Sequence, residues 1–247
     1  MKIKVLASGS KGNSYLISDP STKILIECGI TIKQIQKGID FDLSSIDGCL
    51  VSHGHKDHCK AYKDMLKYSV DCYASEVTWE LLGGIKHHRQ HAVWPMKKFE
   101  IGTMLVIPFE LNHDIPGCMG FILISKETGK KAAYITDSFY TKYKIPGLNY
   151  LLIECNNDPE ILNQNIENGT IPASLGNRLM QSHFSIDDVL DFLEANDLSK
   201  MEAIYLIHIS EGNGDPQDFK RRVMAQTGIP TYIAKEMSRR HKRKEMI

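Results

Sequence analysis

The sequence has no long hydrophobic run and no closely spaced pair of cysteines. No apolar stretch approaches the ~20 residues that span a bilayer, and Met1 to Val5 lead into a short strand-like run, not a signal peptide. We therefore expect a cytoplasmic protein that is neither membrane-bound nor secreted. The six cysteines are spread out without a C-x-x-C motif, which argues against a zinc ribbon, a thioredoxin-type site or a disulfide framework.

The chain of 247 residues also lacks net charge, internal repeats and a low-complexity linker, with 30 basic and 30 acidic side chains. Its neutrality is the sum of two parts, because residues 235–247 carry six Lys or Arg and two Glu, a net +4, which leaves −4 for the rest. No Pro/Ser/Gly-rich boundary divides residues 1–234, so we predict one domain there, followed by a basic tail. The tail either contacts a polyanion such as a DNA backbone or is simply solvated.

Alternating strand and helix patterns run through the chain. Short β-branched or apolar runs predict strands at 4–7, 14–17, 23–26, 48–51, 104–107, 120–124, 132–135, 150–153 and 203–207. Helical periodicity predicts helices at 57–68, 75–82, 158–165, 185–194 and 216–226. Ser185 to Asp188 resemble a capping box, and Asp215 precedes a proline suited to a first helical turn. The pattern predicts an α/β protein with two mixed sheets and outer helices.

The most informative segment is Ser52-His53-Gly54-His55-Lys56-Asp57-His58, where an apolar strand ends in four ionisable side chains of the types that bind metals. Three imidazoles beside one carboxylate would repel one another once protonated, unless a cation keeps them neutral. On an extended loop His53 and His55 point the same way, whereas Asp57 and His58 begin the next helix and can face a second centre. This split set suits two adjacent divalent ions; a solvated polar loop is the alternative.

Three isolated residues stand directly after other apolar strands: His113, Asp137 and His208. Each alone is more often a hydrogen-bonded core or loop residue. Together with the H-x-H-x-D-H segment, they are better explained as ligands that converge from separate loops.

This order of motifs resembles the metallo-β-lactamase superfamily of binuclear hydrolases along nearly the whole chain. The resemblance implies a four-layered αβ/βα sandwich of two mixed β-sheets flanked by helices. It also implies that His53, His55 and His113 hold one metal, that Asp57, His58 and His208 hold the other, and that Asp137 bridges them. The implied cofactors are two divalent ions, with Zn or Mn favoured and Fe also suited.

Four further stretches, 6–14, 152–158, 182–185 and 208–213, resemble the YycJ/WalJ subgroup, whose members are metal-dependent DNA exonucleases. Ribonuclease Z, another member of the superfamily, uses a related Glu and His pair in proton transfer, and Glu154 and His183 occupy the corresponding places. DNA is therefore the expected substrate. We assign catalytic roles to His183, Glu154, Asp137 and Asp57, with His183 as general acid oriented by Glu154; a purely structural Glu154–His183 hydrogen bond is the alternative.

The resemblance implies hydrolysis of phosphodiester bonds by a metal-bound hydroxide. One alternative is a small-molecule hydrolase of the same fold that acts on lactones, thioesters or cyclic phosphodiesters; another is a non-catalytic or redox relative. The Glu154 and His183 pair favours the nuclease, because lactonases do not need it. A homo-oligomer is compatible with the sequence.

The chain departs from the family pattern at two positions. The strand at 23–26 is followed by Glu27 where the family usually has Asp, a residue thought to orient the metal ligands, and the longer acid keeps that role only with a shifted backbone. Asn157 stands where the subgroup often has His, and an amide cannot relay a proton near neutral pH. Neither change touches the metal ligands.

Several other residues have two interpretations. The loop 8–13 either approaches a phosphate through its backbone N–H groups or is a tight turn in which Asn13 supports the metal loop. The basic stretch 86–91 is better explained as surface or nucleic-acid contact than as a metal site. Trp79 and Cys59 are expected to pack in the core, and Trp94 either packs or offers a stacking surface.

Overall fold

A first sheet of six strands carries the N-terminal half. The computed structural model describes residues 1–234, so the basic tail at 235–247 and the predictions made for it lie outside the described residues. The strands lie side by side in chain order: β1 (Lys2–Ala7), β2 (Ser14–Ser18), β3 (Lys23–Ile26), β4 (Gly48–Leu50), β5 (Cys72–Ser75) and β6 (Gln90–Val93). Neighbouring strands are antiparallel from β1 to β3 and parallel from β3 to β6.

A second sheet of seven strands carries the rest, and its strands also lie side by side in chain order. Its members are β7 (Phe99–Ile101), β8 (Met104–Glu110), β9 (Met119–Ser125), β10 (Lys131–Ile135), β11 (Tyr150–Glu154), β12 (Ala203–Ile207) and β13 (Thr231–Ile233). Strands β7 to β10 are antiparallel and β10 to β13 are parallel. Both sheets are therefore mixed, as predicted.

Helices follow the parallel strands in both halves: α1 (Ile32–Gly38), α2 (Lys56–Cys59), α3 (Tyr62–Lys67), α4 (Glu76–Leu81), α5 (Pro159–Glu167), α6 (Ala173–Met180), α7 (Ile186–Ala195) and α8 (Pro216–Thr227). Ser185 and Asp188 form the predicted capping box at α7, and Asp215 caps α8 before Pro216. Among the described residues, no helix is long and apolar enough to cross a membrane.

Three apolar clusters give the molecule four layers. One lies between the sheets, with Tyr15 from β2 and Phe121 from β9. A second packs α1, α3 and α4 on the outer face of the first sheet, and it contains Trp79 as predicted. A third packs α7 and α8 on the outer face of the second sheet. The order is helices, sheet, sheet, helices, which confirms the predicted αβ/βα sandwich.

All nine predicted strands are present with small shifts of their ends, and four further strands (β5, β6, β7 and β13) and two helices (α1 and α6) were not predicted. Strands β6 and β7 lie at the sheet edges, where partial exposure removes the apolar pattern that identifies a buried strand. The predicted helix at 57–68 is two helices, because Ala61 N–H donates to the Cys28 carbonyl (2.8 Å) instead of one within its own helix.

Candidate metal centre

The residues predicted to bind metal meet at one edge of the two sheets. His53 follows β4, His113 follows β8, Asp137 follows β10 and His208 follows β12. Strand β8 runs in the same direction as β10, because the antiparallel β9 lies between them. The carboxyl ends of these strands therefore point to a common edge, the usual place for a site in such sheets.

The first group of donor atoms consists of His53, His55 and His113. His55 Nδ1 lies 3.1 Å from His53 Nε2 and 3.3 Å from His113 Nε2. Three nitrogens that are each 2.0–2.1 Å from a tetrahedral zinc ion are about 3.3 Å from one another. The spacing of these donors therefore fits one divalent ion.

The second group consists of Asp57, His58 and His208. Asp57 Oδ2 lies 3.3 Å from His58 Nε2 and 3.2 Å from His208 Nε2. His58 is fully buried and His208 nearly so. A carboxylate with two imidazoles is a donor set that suits zinc, manganese or iron.

Asp137 connects the two groups. Its Oδ2 lies 3.2 Å from His58 Nε2, 3.5 Å from His53 Nε2 and 3.6 Å from His113 Nε2. Oδ1 lies 3.6 Å from His208 Nδ1. One carboxylate thus faces histidines of both groups, as a bridging ligand must.

Hydrogen bonds behind the histidines aim their free nitrogens into the groups. His113 Nδ1 donates to the Ser182 carbonyl (2.9 Å), which leaves Nε2 as the lone-pair donor. His53 Nδ1 lies 2.9 Å from Ser52 Oγ. Such partners set the tautomer and orientation of metal-binding histidines. Together with the spacing of the donors, they show that the residues fit two metal ions.

The electrostatics of the site differ between its two halves. Burial and the neighbouring imidazole of His58 hold the pKa of His53 well below its ordinary value, and burial together with His113 lowers the pKa of His55. Burial opposes charge on His208 as well, but Asp137 and Asp57 outweigh it and raise its pKa to about 10. The pKa of Asp137 is lowered despite burial, because His208 and His58 lie beside it. The carboxylate is therefore ionised, as a metal ligand must be.

Three non-glycine residues of the site have left-handed backbone conformations: Glu27 (φ 62°), Asp137 (φ 43°) and His208 (φ 50°). Glu27 and His208 immediately follow strands β3 and β12, and Asp137 lies two residues after the end of β10. This conformation is uncommon for side chains with a Cβ and is kept only where the surrounding structure enforces it. It turns each chain sharply at the sheet edge and directs the side chain toward the site.

Glu27, one of the two departures from the family pattern, lies beneath the second group. It is fully buried, accepts the Ser52 N–H through Oε1 (3.2 Å), and its Oε1 lies 3.5 Å from His58 Nδ1. From its left-handed backbone, the longer side chain of Glu27 thus reaches both the proposed metal ligand His58 and the backbone of Ser52, next to His53. Asn157, the other departure, is buried, and its amide nitrogen has no hydrogen-bond partner among the described residues.

The loop at 8–13 packs on the start of α2, the helix that carries Asp57 and His58, which we call the ligand helix. Asn13 N–H donates to the Asp57 carbonyl (2.8 Å), and Asn13 Oδ1 accepts the Gly9 N–H (3.0 Å). Ser8 Oγ accepts the His208 N–H (2.9 Å). Of the two interpretations of this loop, these contacts match the one in which Asn13 supports the metal loop.

Glu154 and His183 lie together beside the second group. His183 Nδ1 is 2.6 Å from Glu154 Oε1, and the same oxygen lies 3.1 Å from His208 Nδ1. Glu154 also accepts N–H groups of Ser138 (3.1 Å) and Phe184 (3.3 Å), which fixes the carboxylate in place. Asp137, Glu154, His183 and His208 are close enough to form a third set of donors. The Nδ1 atoms of His183 and His208, however, are already engaged by Glu154 Oε1.

The charge of this pair follows from its partners. Burial disfavours the imidazolium, yet Glu154 outweighs it and raises the pKa of His183. Burial likewise opposes ionisation of Glu154, but His183 lowers the pKa of its carboxyl. The side chain of His183 is 13% exposed, so this imidazole remains accessible from solvent.

Two residues near the site escaped the sequence analysis. Asp114 Oδ1 lies 3.1 Å from His113 Nε2, and its other oxygen accepts from Arg178 Nε (2.7 Å). Asn156 Nδ2 donates to the His208 carbonyl (3.1 Å). The position of Asp114 directly after His113 was an available signal, whereas no local pattern identifies Asn156.

The remaining candidates lie outside the metal groups. The Cys59 thiol donates to the Gly54 carbonyl (3.4 Å), and burial raises its pKa to about 12, as expected for a packed thiol. Trp94 is 44% exposed beneath Lys97 Nζ, which lies 5.1 Å from its ring. Within residues 1–234, no histidine of the stretch 86–91 belongs to a group that could hold a metal.

Known proteins share the sequence pattern and the fold of this chain. Residues 22–209 match the model of the β-lactamase superfamily domain. Exodeoxyribonuclease YycJ of Bacillus anthracis is 29% identical over 86% of this chain and 84% of its own length, and exodeoxyribonuclease WalJ of Streptococcus pneumoniae is 27% identical over 86% and 82%. The metallo-β-lactamase fold protein YhfI of Bacillus subtilis superposes with a TM-score of 0.72 at 14% identity, covering 94% of this chain and 95% of YhfI.

The family match spans most of the chain, and the YhfI structure shares the fold over nearly the whole length of both chains. The resemblance to YycJ and WalJ extends over 86% of the chain. The chain belongs to the metallo-β-lactamase superfamily, a family of hydrolases that implies bound divalent metal ions.

Proposed function

We propose that this protein is a two-metal phosphodiesterase that removes nucleotides from the ends of DNA. The observation that carries the proposal is the Glu154–His183 pair, whose imidazole lies beside Asp137 and His208 of the two metal groups. The names of the YycJ and WalJ relatives, both exodeoxyribonucleases, support the choice of DNA.

The proposed ligands form two sets. His53, His55 and His113 hold one ion, and Asp57, His58 and His208 hold the other, with Asp137 shared between them. Zinc or manganese best suits these donors, and iron is also accommodated. Two such ions supply a water of lowered pKa as nucleophile and polarise a phosphoryl oxygen.

The side chains of the chain perform the proton transfer. Glu154 accepts from Nδ1–H of His183 (2.6 Å) and favours the imidazolium form, whose Nε2–H then protonates the departing oxygen of the phosphodiester. The adjacent carboxylate of Glu154 outweighs burial and raises the pKa of this imidazole. A positioned acid of this kind contributes roughly 10² to 10⁴ in rate. Glu154 also holds His208 (3.1 Å), so one carboxylate positions the acid and a proposed metal ligand together.

The test is a substrate panel with the purified protein supplemented with Zn²⁺ or Mn²⁺. It contains end-labelled single- and double-stranded DNA, an RNA of the same sequence, bis(4-nitrophenyl) phosphate and a γ-lactone. We expect stepwise shortening of DNA from an end. Turnover of the lactone without any cleavage of DNA would overturn the proposal in favour of a small-molecule hydrolase, and cleavage of RNA alone would replace DNA as the substrate.

A further inference from the structure

A short segment beside the metal centre presents aromatic rings and lysines to solvent. We call residues 139–144 the aromatic strap. Phe139 is 44% exposed and Tyr140 is 56% exposed, which is unusual for two adjacent large rings in a protein that has a well-packed core. The strap follows Asp137 and Ser138 directly in the chain.

The backbone of the strap is tied to the site. Phe139 N–H donates to the Asn112 carbonyl (3.3 Å), and the Tyr140 carbonyl accepts from Ser138 Oγ (2.7 Å) and Asn112 Nδ2 (3.3 Å). Asn112 precedes His113. Because consecutive Cα atoms are 3.8 Å apart, the Cα of Phe139 lies within about 7.6 Å of that of Asp137. The backbone that carries the two rings is therefore held close to the proposed reaction centre.

The strap forms one wall of a groove of about 250 Å³. Phe184 also lines it; this residue follows His183 and donates its N–H to Glu154 (3.3 Å). The groove is thus lined by the residue that follows the proposed general acid in the chain. Its volume is below the ~300–1,000 Å³ of pockets for drug-sized molecules, so it accommodates a single ring system.

The charges around the groove are divided between its walls. Lys142 and Lys144 are exposed on the strap, and Lys142 Nζ lies 5.4 Å from the ring centre of Tyr143. Asp188 and Asp191 line the opposite wall on α7. A phosphate is attracted to the lysine side and repelled from the aspartates, whereas a base can enter between the walls and donate its N–H groups to a carboxylate.

We propose that the aromatic strap is a nucleobase subsite, in which Phe139 and Tyr140 stack on an unpaired base near the cleaved end while Lys142 and Lys144 contact its phosphates. The subsite rests on the proposed function, since it assumes a nucleic-acid strand at the metal centre. Aromatic stacking of this kind tolerates any base and contributes through the π-face of each ring. The strap therefore selects polynucleotides with an unpaired end over small phosphodiesters.

Two measurements test the subsite. The first compares exonuclease rates on oligonucleotides with an abasic position at each of the first three nucleotides. In the wild type, one abasic position is expected to lower kcat/KM about 5-fold or more. In Tyr140→Ala and Phe139→Ala, rates on intact DNA fall by a similar factor, and the abasic position has little further effect. Tyr68→Ala is the matched control, because Tyr68 is 51% exposed after α3 and outside the groove.

The second measurement is binding of a fluorescent phosphorothioate decathymidylate, which resists cleavage, to the metal-loaded protein. Tyr140→Ala should weaken binding about 5-fold or more, and Tyr140→Trp should retain it. An unchanged affinity, or an abasic penalty equal in wild type and variant, overturns the subsite even if DNA is cleaved. Tyr140-dependent binding without cleavage supports the subsite and contradicts the proposed nuclease function instead.

Discussion

The Cα of Gly29 lies against the backbone carbonyl of Asp57, and a Cβ at residue 29 would be only 1.6 Å from that oxygen. Asn13 links the same two residues, since it accepts the Gly29 N–H (2.9 Å) and donates to the Asp57 carbonyl (2.8 Å). The loops after β1 and β3 therefore clamp the start of the ligand helix.

This contact predicts that Gly29→Ala displaces Asp57 and His58. We expect a loss of about 3 kcal/mol in the free energy of unfolding, because the methyl group meets backbone that cannot rotate away. The proposed second ion should be lost at the same time. Urea unfolding and metal analysis measure the two effects. Gly212→Ala is the control, since nothing lies within 4 Å of a Cβ there; equal effects of both substitutions would contradict the argument.

Metal content should separate the two proposed ligand sets. His55→Ala is expected to lose one ion and His208→Ala the other, whereas Asp137→Ala weakens both, because its carboxylate faces histidines of each set. Elemental analysis after gel filtration measures the ratio of metal to protein. His88→Ala should keep both ions, since His88 is outside the metal groups found among the described residues. Retention of two ions by His208→Ala would refute the role of His208 as a metal ligand.

The proposed acid predicts a loss of rate without a loss of metal. His183→Ala should lower the rate of DNA hydrolysis by about 10² to 10⁴ while both ions remain bound. Glu154→Gln keeps an acceptor for Nδ1 but removes the charge, so a smaller decrease is expected. His91→Ala is the matched control, because His91 forms a similar pair with Asp71 (2.7 Å) at the surface. Unchanged hydrolysis by metal-replete His183→Ala would leave the Glu154 hydrogen bond with only a structural role.

Asp19 joins turns of the two sheets and gives stability a dependence on pH. Partial burial opposes its ionisation, but hydrogen bonds from Ser125 (2.7 Å) and Thr103 (2.8 Å) outweigh this and lower its pKa. A carboxyl whose pKa is lower in the folded state stabilises the protein above its unfolded pKa of about 3.9. The contribution disappears as pH falls through the folded pKa.

Asp19→Asn should therefore lower the free energy of unfolding at pH 7 by about 2 kcal/mol, the usual loss for hydrogen bonds to a charged group. The difference from the wild type should shrink between pH 4 and pH 2, as the wild-type carboxyl is protonated. Thermal unfolding across this range, with the protein free of metal, measures the effect. A difference that is constant with pH would show that the charge of Asp19 is not involved.

Much of the fold follows from local patterns. Runs such as 150–153 and 203–207 are apolar on both faces, and the structure buries the corresponding strands β11 and β12 almost completely. The caps of α7 and α8 depend on residues within one turn. The edge strands β6 and β7 were missed because exposed edges do not require an apolar pattern.

Part of the candidate site likewise follows from local sequence, and part depends on the tertiary structure. The sequence by itself determined the ligand motif at 53–58, the strand-end positions of His113, Asp137 and His208, and the family. Only the tertiary structure decided that one oxygen of Glu154 holds both His183 and His208, that Ser182 sets the tautomer of His113, and that the aromatic strap borders the site. Local motifs depend on neighbours along the chain, whereas these contacts join segments tens of residues apart that meet only once both sheets have packed.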